Sequence, residues 1–230
     1  MEMAPDYRNM KTFIIYNKPI NQSYINALES KNSFEKYEGW DVELFDGCNP
    51  SNLNEYQKMY KLKDIRAANK SASKKSCFYS HFHLWKYSSE NNVPIAIIEN
   101  DTECLSDLPE INQEGVFHLS IETNIKCRAH GRKVDIDSNL ISKKPAGIHK
   151  VEELSQKNLR TGKKCMPGST AYVITPETAK VLIEDCEMKG WYQNDSLITT
   201  DLVNLKYLKP SPVKYCAKKE LKSSSFWEAD

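Results

Sequence analysis

The chain has 230 residues, 40% of them hydrophobic and 10% aromatic, which is enough to bury the core of one domain and excludes a disordered chain. Its 32 Lys and Arg against 31 Asp and Glu leave a net charge of +1, which excludes a histone-like polycation and an acidic tail protein but not local patches. No window approaches the ~20 apolar residues of a membrane helix, and the start, MEMAPDYRNMK, has no apolar segment of the kind a secretion signal carries. The 7 cysteines are odd in number and contain no CxxC pair, which predicts a reduced, cytoplasmic setting.

Thr12 to Tyr16 (TFIIY) is β-branched and aromatic and predicts a first strand. Asn21 to Tyr37 carries Tyr24, Ile25, Leu28 and Phe34 at helical spacing. Asp41 to Phe45 alternates as a strand, and Asn52 to Leu62 reads as a weak helix. Residues 61–75 then hold six cations against Asp64 alone, a basic loop expected to be mobile. A helix comes next, with Phe78, Phe82 and Trp85 on one face. Pro94 to Ile98 (PIAII) is continuously apolar, as a central strand buried on both faces must be. Gly115 to Ile121 predicts another strand, whereas 122–166 shows little periodicity and many basic residues and is expected to be a second mobile loop. Order returns at Thr170 to Thr175, then in a helix opened by Pro176 and Glu177. Tyr207 to Tyr215 reads as a strand interrupted by Pro210 and Pro212. Strands alternating with helices imply one α/β domain over 1–230 with a mostly parallel sheet. Ligands of such sheets bind at the carboxyl ends of the strands.

That rule directs attention to the residues just after PIAII. Between Ala96 and Glu114 there are six acids and no Lys or Arg. Glu99 and Asp101, at i and i+2 after a buried strand, suit a hard divalent cation, since Mg²⁺ and Mn²⁺ take oxygen ligands and share them with phosphate. A solvated acidic turn reads the same way. The flanking basic loops, Lys74 and Lys75 among them, suit a diphosphate or nucleic-acid phosphates, or are simply solvated. Cys77, His81 and His83 suggest zinc, but His81 and His83 at i and i+2 do not share a helix face, and no second ligand pair of standard spacing occurs after them. The spacing argues for packed histidines.

The ordered set of motifs is more specific. FIIYN with Asn17 opens the chain; VELFDGCNP comes second; then Ser76-Cys77-Phe78-Tyr79-Ser80-His81 runs to Trp85; then NNVPIAIIENDTE with Glu99-Asn100-Asp101; then Gly168 to Thr175 (GSTAYVIT); then Asn194-Asp195; and last Ser223 to Ser225. In this order they resemble glycosyltransferase family 25, the lipooligosaccharide and collagen-type sugar transferases. The resemblance spans residues 12 to about 226. Asn100 departs from it, replacing the middle acid of a Glu-Asp-Asp triplet, and the arginines that come after the first strand in that family are missing after Asn17.

The resemblance implies a GT-A-like three-layer α/β/α domain that binds a nucleotide sugar. It implies a metal-dependent, inverting hexosyltransferase, with a UDP-sugar as donor and a glycan or other hydroxyl as acceptor. Mn²⁺ or Mg²⁺ would sit on Glu99 and Asp101. Asn17, Ser80, His81, Lys74 and Lys75 would face the nucleotide. Asp195 would be the base, with Asp201 in reserve, and Trp191 and Tyr192 would stack on the acceptor. Two other readings stand beside this one: a viral-type transferase acting on a modified DNA base, and a degenerate module that binds a sugar or nucleotide without turnover.

Overall fold

The computed structural model describes residues 9–64, 71–122, 134–135, 138–153, 157–158, 164–165 and 168–216. In chain order the elements are β1 (Met10–Tyr16), α1 (Asn21–Phe34), β2 (Trp40–Asp46), α2 (Leu53–Tyr60), α3 (Ala72–Asn91), β3 (Ile95–Glu99), β4 (Thr102–Cys104), β5 (Val116–His118), β6 (Val134–Asp135), α4 (Ser138–Lys143), β7 (Gly147–Lys150), β8 (Lys157–Asn158), β9 (Ala171–Ile174), α5 (Pro176–Lys189), α6 (Asn194–Leu197), β10 (Leu205–Lys209) and β11 (Val213–Tyr215). Seven strands form the central sheet in the order β2-β1-β3-β9-β5-β10-β7. β2, β1, β3, β5 and β10 run one way, and β9 and β7 oppose them. This is the mostly parallel α/β sheet that the alternation of elements implies.

The period-2 alternation of β3 builds both layers. Ile95 and Ile97 enter a core with Phe78, Phe82 and Trp85 of α3 and Leu182 and Cys186 of α5. Ala96 and Ile98 enter the opposite core with Ala27 and Phe34 of α1. All four residues are fully buried, which is why this strand is apolar without a break. The result is the three-layer α/β/α arrangement.

Two local expectations change. The span 122–166 is not structureless where it is described: α4 and β7 lie in it, and β7 pairs antiparallel with β10 as the edge of the central sheet. An edge strand of four residues that buries little has no strong hydrophobic pattern to reveal it. The interrupted strand at 207–215 is two strands in two sheets, because β11 leaves the central sheet after the prolines and pairs with β4. Pro cannot supply the ladder N–H. Of the basic residues in the two predicted loops, Arg66 and Lys70 of 61–75 and Lys126, Arg128, Arg132, Lys133, Arg160 and Lys163 of 122–166 lie outside the described residues. Among the described residues no helix is long and apolar enough to cross a membrane.

Candidate functional site

β1 and β3 are parallel neighbours, so their carboxyl ends open on the same side of the sheet. A cavity of ≈ 170 Å³ lies there. It is lined by Asn17 from the end of β1, Cys48 after β2, Ser76, Cys77, Ser80 and His81 from α3, and Glu99, Asn100 and Asp101 from the end of β3. The position matches the rule for open α/β sheets.

The α3 wall is held by local chemistry. Ser71 caps the helix, its side chain accepting from Lys74 N at 3.3 Å. Cys77, Ser80 and His81 fall on one face by the i, i+3, i+4 rule. The Ser80 hydroxyl donates to Ser76 O at 3.0 Å and accepts from Cys48 N at 2.8 Å, tying the turn after β2 to the helix. Gly47 permits that approach: a Cβ there would lie 2.7 Å from Ser80 Oγ and 2.9 Å from Ile15 Cγ2.

His81 is 1% exposed and is oriented from β9. Trp85 Nε1–H donates to Tyr172 OH at 2.9 Å, and His81 Nδ1 lies 2.8 Å from the same oxygen. Indole is a donor only, so the phenol proton is free to point at His81 Nδ1. That places the remaining proton of a neutral imidazole on Nε2. Nε2 has no hydrogen-bond partner and faces Glu99 Oε1 at 3.8 Å. Burial holds the Tyr172 phenol well above its ordinary pKa, so it stays a proton donor.

The charges of three acids reach Cys77: Glu99 and Asp101 line the cavity with it, and Asp195 lies outside the lining. Enclosure by protein, and then the negative charges of Glu99, Asp195 and Asp101, push its thiol well above the ordinary range. Cys77 as a residue is nevertheless exposed, and it lines the cavity. Asn194 Nδ2 approaches it at 3.9 Å from the start of α6, the short helix that also carries Asp195 in its first turn. Glu99 N donates to Thr170 O at 2.7 Å, so β9 fixes the backbone at the metal-type motif.

Asn100 points the other way. Its Nδ2 donates to Ser23 O at 3.3 Å and also contacts Ser23 Oγ, which in turn accepts from Asn17 N at 2.9 Å. The amide therefore joins β3 to the start of α1, using a donor that a carboxylate does not have.

The remaining predicted residues lie elsewhere. Lys75 Nζ donates to Asp64 Oδ2 at 2.8 Å and sits 5.6 Å over the Trp191 ring. Trp191 is 0% exposed and packs on Phe78, and its backbone N donates to Lys63 O at 3.0 Å. No ring face remains for an acceptor sugar, so the stacking expectation for Trp191 is corrected: the aromatic beside Asp195 is core. Tyr192 is half-buried against the same core. Neither Lys74 nor Lys75 lines the cavity. Asp201 is exposed, outside the cavity lining, with its charge felt by Lys189 at the end of α5.

Sequence reasoning passed over one grouping. Cys77, His81 and Glu99 offer ligand atoms that all lie within 4.8 Å of one another. The spacing of His81 and His83 argues against zinc, but the pair that shares a helix face is Cys77 and His81, at i and i+4. His83 instead stacks on Phe45 with ring centroids 5.4 Å apart and meets Tyr60 OH through Nδ1. The third ligand comes from β3, 22 positions on from Cys77, beyond the reach of local spacing.

No curated protein matches the chain. Residues 20–198 match the family model of glycosyltransferase family 25 (LPS biosynthesis protein). The matched span includes α3, the Glu99-Asn100-Asp101 turn, Tyr172 and Asp195, and leaves Asn17 and Asp201 outside. With most of its length matched and the cavity at the carboxyl ends of β1 and β3, this chain belongs to glycosyltransferase family 25.

Proposed function

We propose that the protein is a metal-dependent, inverting hexosyltransferase that takes the sugar from a nucleoside diphosphate, UDP first, and passes it to a hydroxyl of a glycan or similar acceptor. The observation that carries this reading is the meeting of Glu99 and Asp101 on one cavity at the strand ends, with the charge of Asp195, outside the lining, reaching Cys77 on the cavity wall. The donor set fits a hard cation. Glu99 and Asp101 supply carboxylate oxygens, and Asn17 Oδ1, lining the same cavity, is a buried acceptor with no partner. Mg²⁺ or Mn²⁺ held there would neutralise charge building on the departing diphosphate.

The chain's own groups would do the rest. Asp195 accepts the acceptor's hydroxyl proton as that oxygen attacks the anomeric carbon. The bond from that carbon to the diphosphate oxygen breaks, and its electron pair leaves with the nucleotide. Attack and departure on opposite faces invert the centre, as in an inverting glycosidase with a sugar hydroxyl in place of water. The proton on His81 Nε2 is available to a donor oxygen entering the cavity. Ser80 shapes the wall through Cys48.

Asn100, the feature that most favours a degenerate binding module, has a structural use and does not weaken the acid pair. A DNA acceptor has no support among the described residues. Release of nucleoside diphosphate from a panel of sugar nucleotides, with and without Mn²⁺, tests the proposal. Metal-dependent release from one donor supports it. Donor binding without turnover, with glycan acceptors present, would return the module reading.

A further inference from the structure

We propose that Cys77, His81 and Glu99 form a binding site for a borderline-soft divalent cation of the zinc class, which competes with the hard cation for Glu99. His81 is almost wholly buried, and its Nε2 is unpartnered and faces Glu99 Oε1 at 3.8 Å, too far for a hydrogen bond. A buried polar atom left in this state is destabilising, and a ligand in the gap would offset that. The Cys77 sulfur completes the set, with all three ligand atoms within 4.8 Å of one another. A tetrahedral zinc with bonds of about 2.0–2.3 Å spans edges of about 3.3–3.8 Å, about 1 Å or more inside that limit. Small rotations of Glu99 and Cys77 therefore close the site, since both side chains border open space in the cavity.

Ligand chemistry separates this site from the oxygen site. Thiolate with imidazole selects zinc-class ions, whereas carboxylates alone suit Mg²⁺ and Mn²⁺. Three protein ligands leave the fourth position open toward the cavity, as in sites that exchange water or substrate. The outer shell is also in place. A ligating histidine donates its other ring N–H to a fixed acceptor, and Tyr172 OH lies 2.8 Å from Nδ1. On binding, the imidazole proton moves from Nε2 to Nδ1 and is donated to the Tyr172 oxygen, whose own O–H rotates off the Nδ1 axis, and the thiol proton leaves to solvent as the sulfur–metal bond forms. Glu99 belongs to both ligand sets, so one ion excludes the other. Only this competition rests on the hexosyltransferase reading; the coordination itself does not.

Titration of the full chain with Co²⁺ tests the site, because a thiolate on cobalt gives a charge-transfer band in the near ultraviolet. The band is expected in the wild type, is bleached by Zn²⁺, is lost in Cys77→Ser and is kept in Asp101→Asn. Zinc affinity is expected to fall about 100-fold or more in Cys77→Ser, beyond the range of a lost outer-shell partner. X-ray absorption of the zinc-loaded wild type needs no variant: one sulfur at about 2.3 Å is expected. Absence of the band, its survival in Cys77→Ser, or a zinc shell without sulfur overturns the site. Mn²⁺ binding, followed by its own paramagnetic signal, reports the hard site separately. It should survive Cys77→Ser and be displaced by Zn²⁺. Mn²⁺ that stays bound beside Zn²⁺ overturns the competition, and a wild type that takes cobalt but no Mn²⁺ sinks the hard-cation reading alone.

Discussion

Asn100 sits between two acids that face the cavity, yet its amide is turned to α1, where it donates to the Ser23 carbonyl. Restoring the family's acid is therefore expected to harm the protein. Asn100→Asp loses the donor that reaches that carbonyl and adds a third negative charge beside Glu99 and Asp101. The expected cost is about 1–3 kcal/mol, read from urea unfolding, with no gain in turnover. Asp195 makes the opposite test. It lies close enough to Cys77 to shift its thiol, and the proposed role is proton acceptance. Asp195→Asn is expected to lower kcat by about 10²–10⁴-fold while donor affinity, measured by calorimetry, stays near wild type. Equal loss of affinity would mean that Asp195 holds the nucleotide rather than the acceptor's proton. The acids themselves were legible from the chain, because a buried apolar run followed by Glu-x-Asp marks a strand end. Their meeting with Cys77 was not, because it depends on contacts between β3, α3 and α6.

At the scale of elements, the link from α3 to β9 sets the site. Trp85 and His81 both reach one phenol, Tyr172, 87 and 91 positions away along the chain. Tyr172→Phe leaves an indole N–H and an imidazole nitrogen buried without partners. It is expected to cost about 1–3 kcal/mol and, by freeing the His81 ring, to weaken metal and donor binding as well. Unchanged stability would show that water replaces the phenol. The strands that could be read from sequence were those with strong patterns. β1 is β-branched, and β3 is apolar throughout because helices cover both its faces. β7 was missed since an edge strand needs one good face at most, and Gly147 to Lys150 exposes much of itself. Trp191 misled for a related reason: an aromatic beside an acid looks like a sugar platform until the fold places Phe78 and Lys75 against it.

For the whole molecule, parallel neighbours β1 and β3 bring Asn17 and the Glu99 turn to one rim, and the antiparallel β9 brings Thr170 to the same place. This much is set by topology, which the alternation of elements made readable. The distribution of thiols was not readable, and it has its own consequence. Burial pushes Cys48 up to about 12 and Cys104 up to about 11, and raises Cys186 further, against an ordinary value of 9.0. The folded state therefore keeps protons that the unfolded chain releases, so these groups cost nothing below pH ~9, and stability falls as pH rises above it. The melting midpoint is expected to be flat from about pH 7 to 8.5 and to decline toward pH ~10.5. A midpoint that rises over that interval would contradict the buried, protonated thiols.

The central claim is that the acids at the end of β3 serve sugar transfer. Its most direct test is nucleoside diphosphate release by wild type and Asp101→Ala, over a panel of sugar nucleotides, with and without Mn²⁺. The predicted result is Mn²⁺-dependent release from one donor, lost in the variant while its fold is retained. Release that is equal in Asp101→Ala, or absent from every donor with glycan acceptors supplied, would contradict that claim.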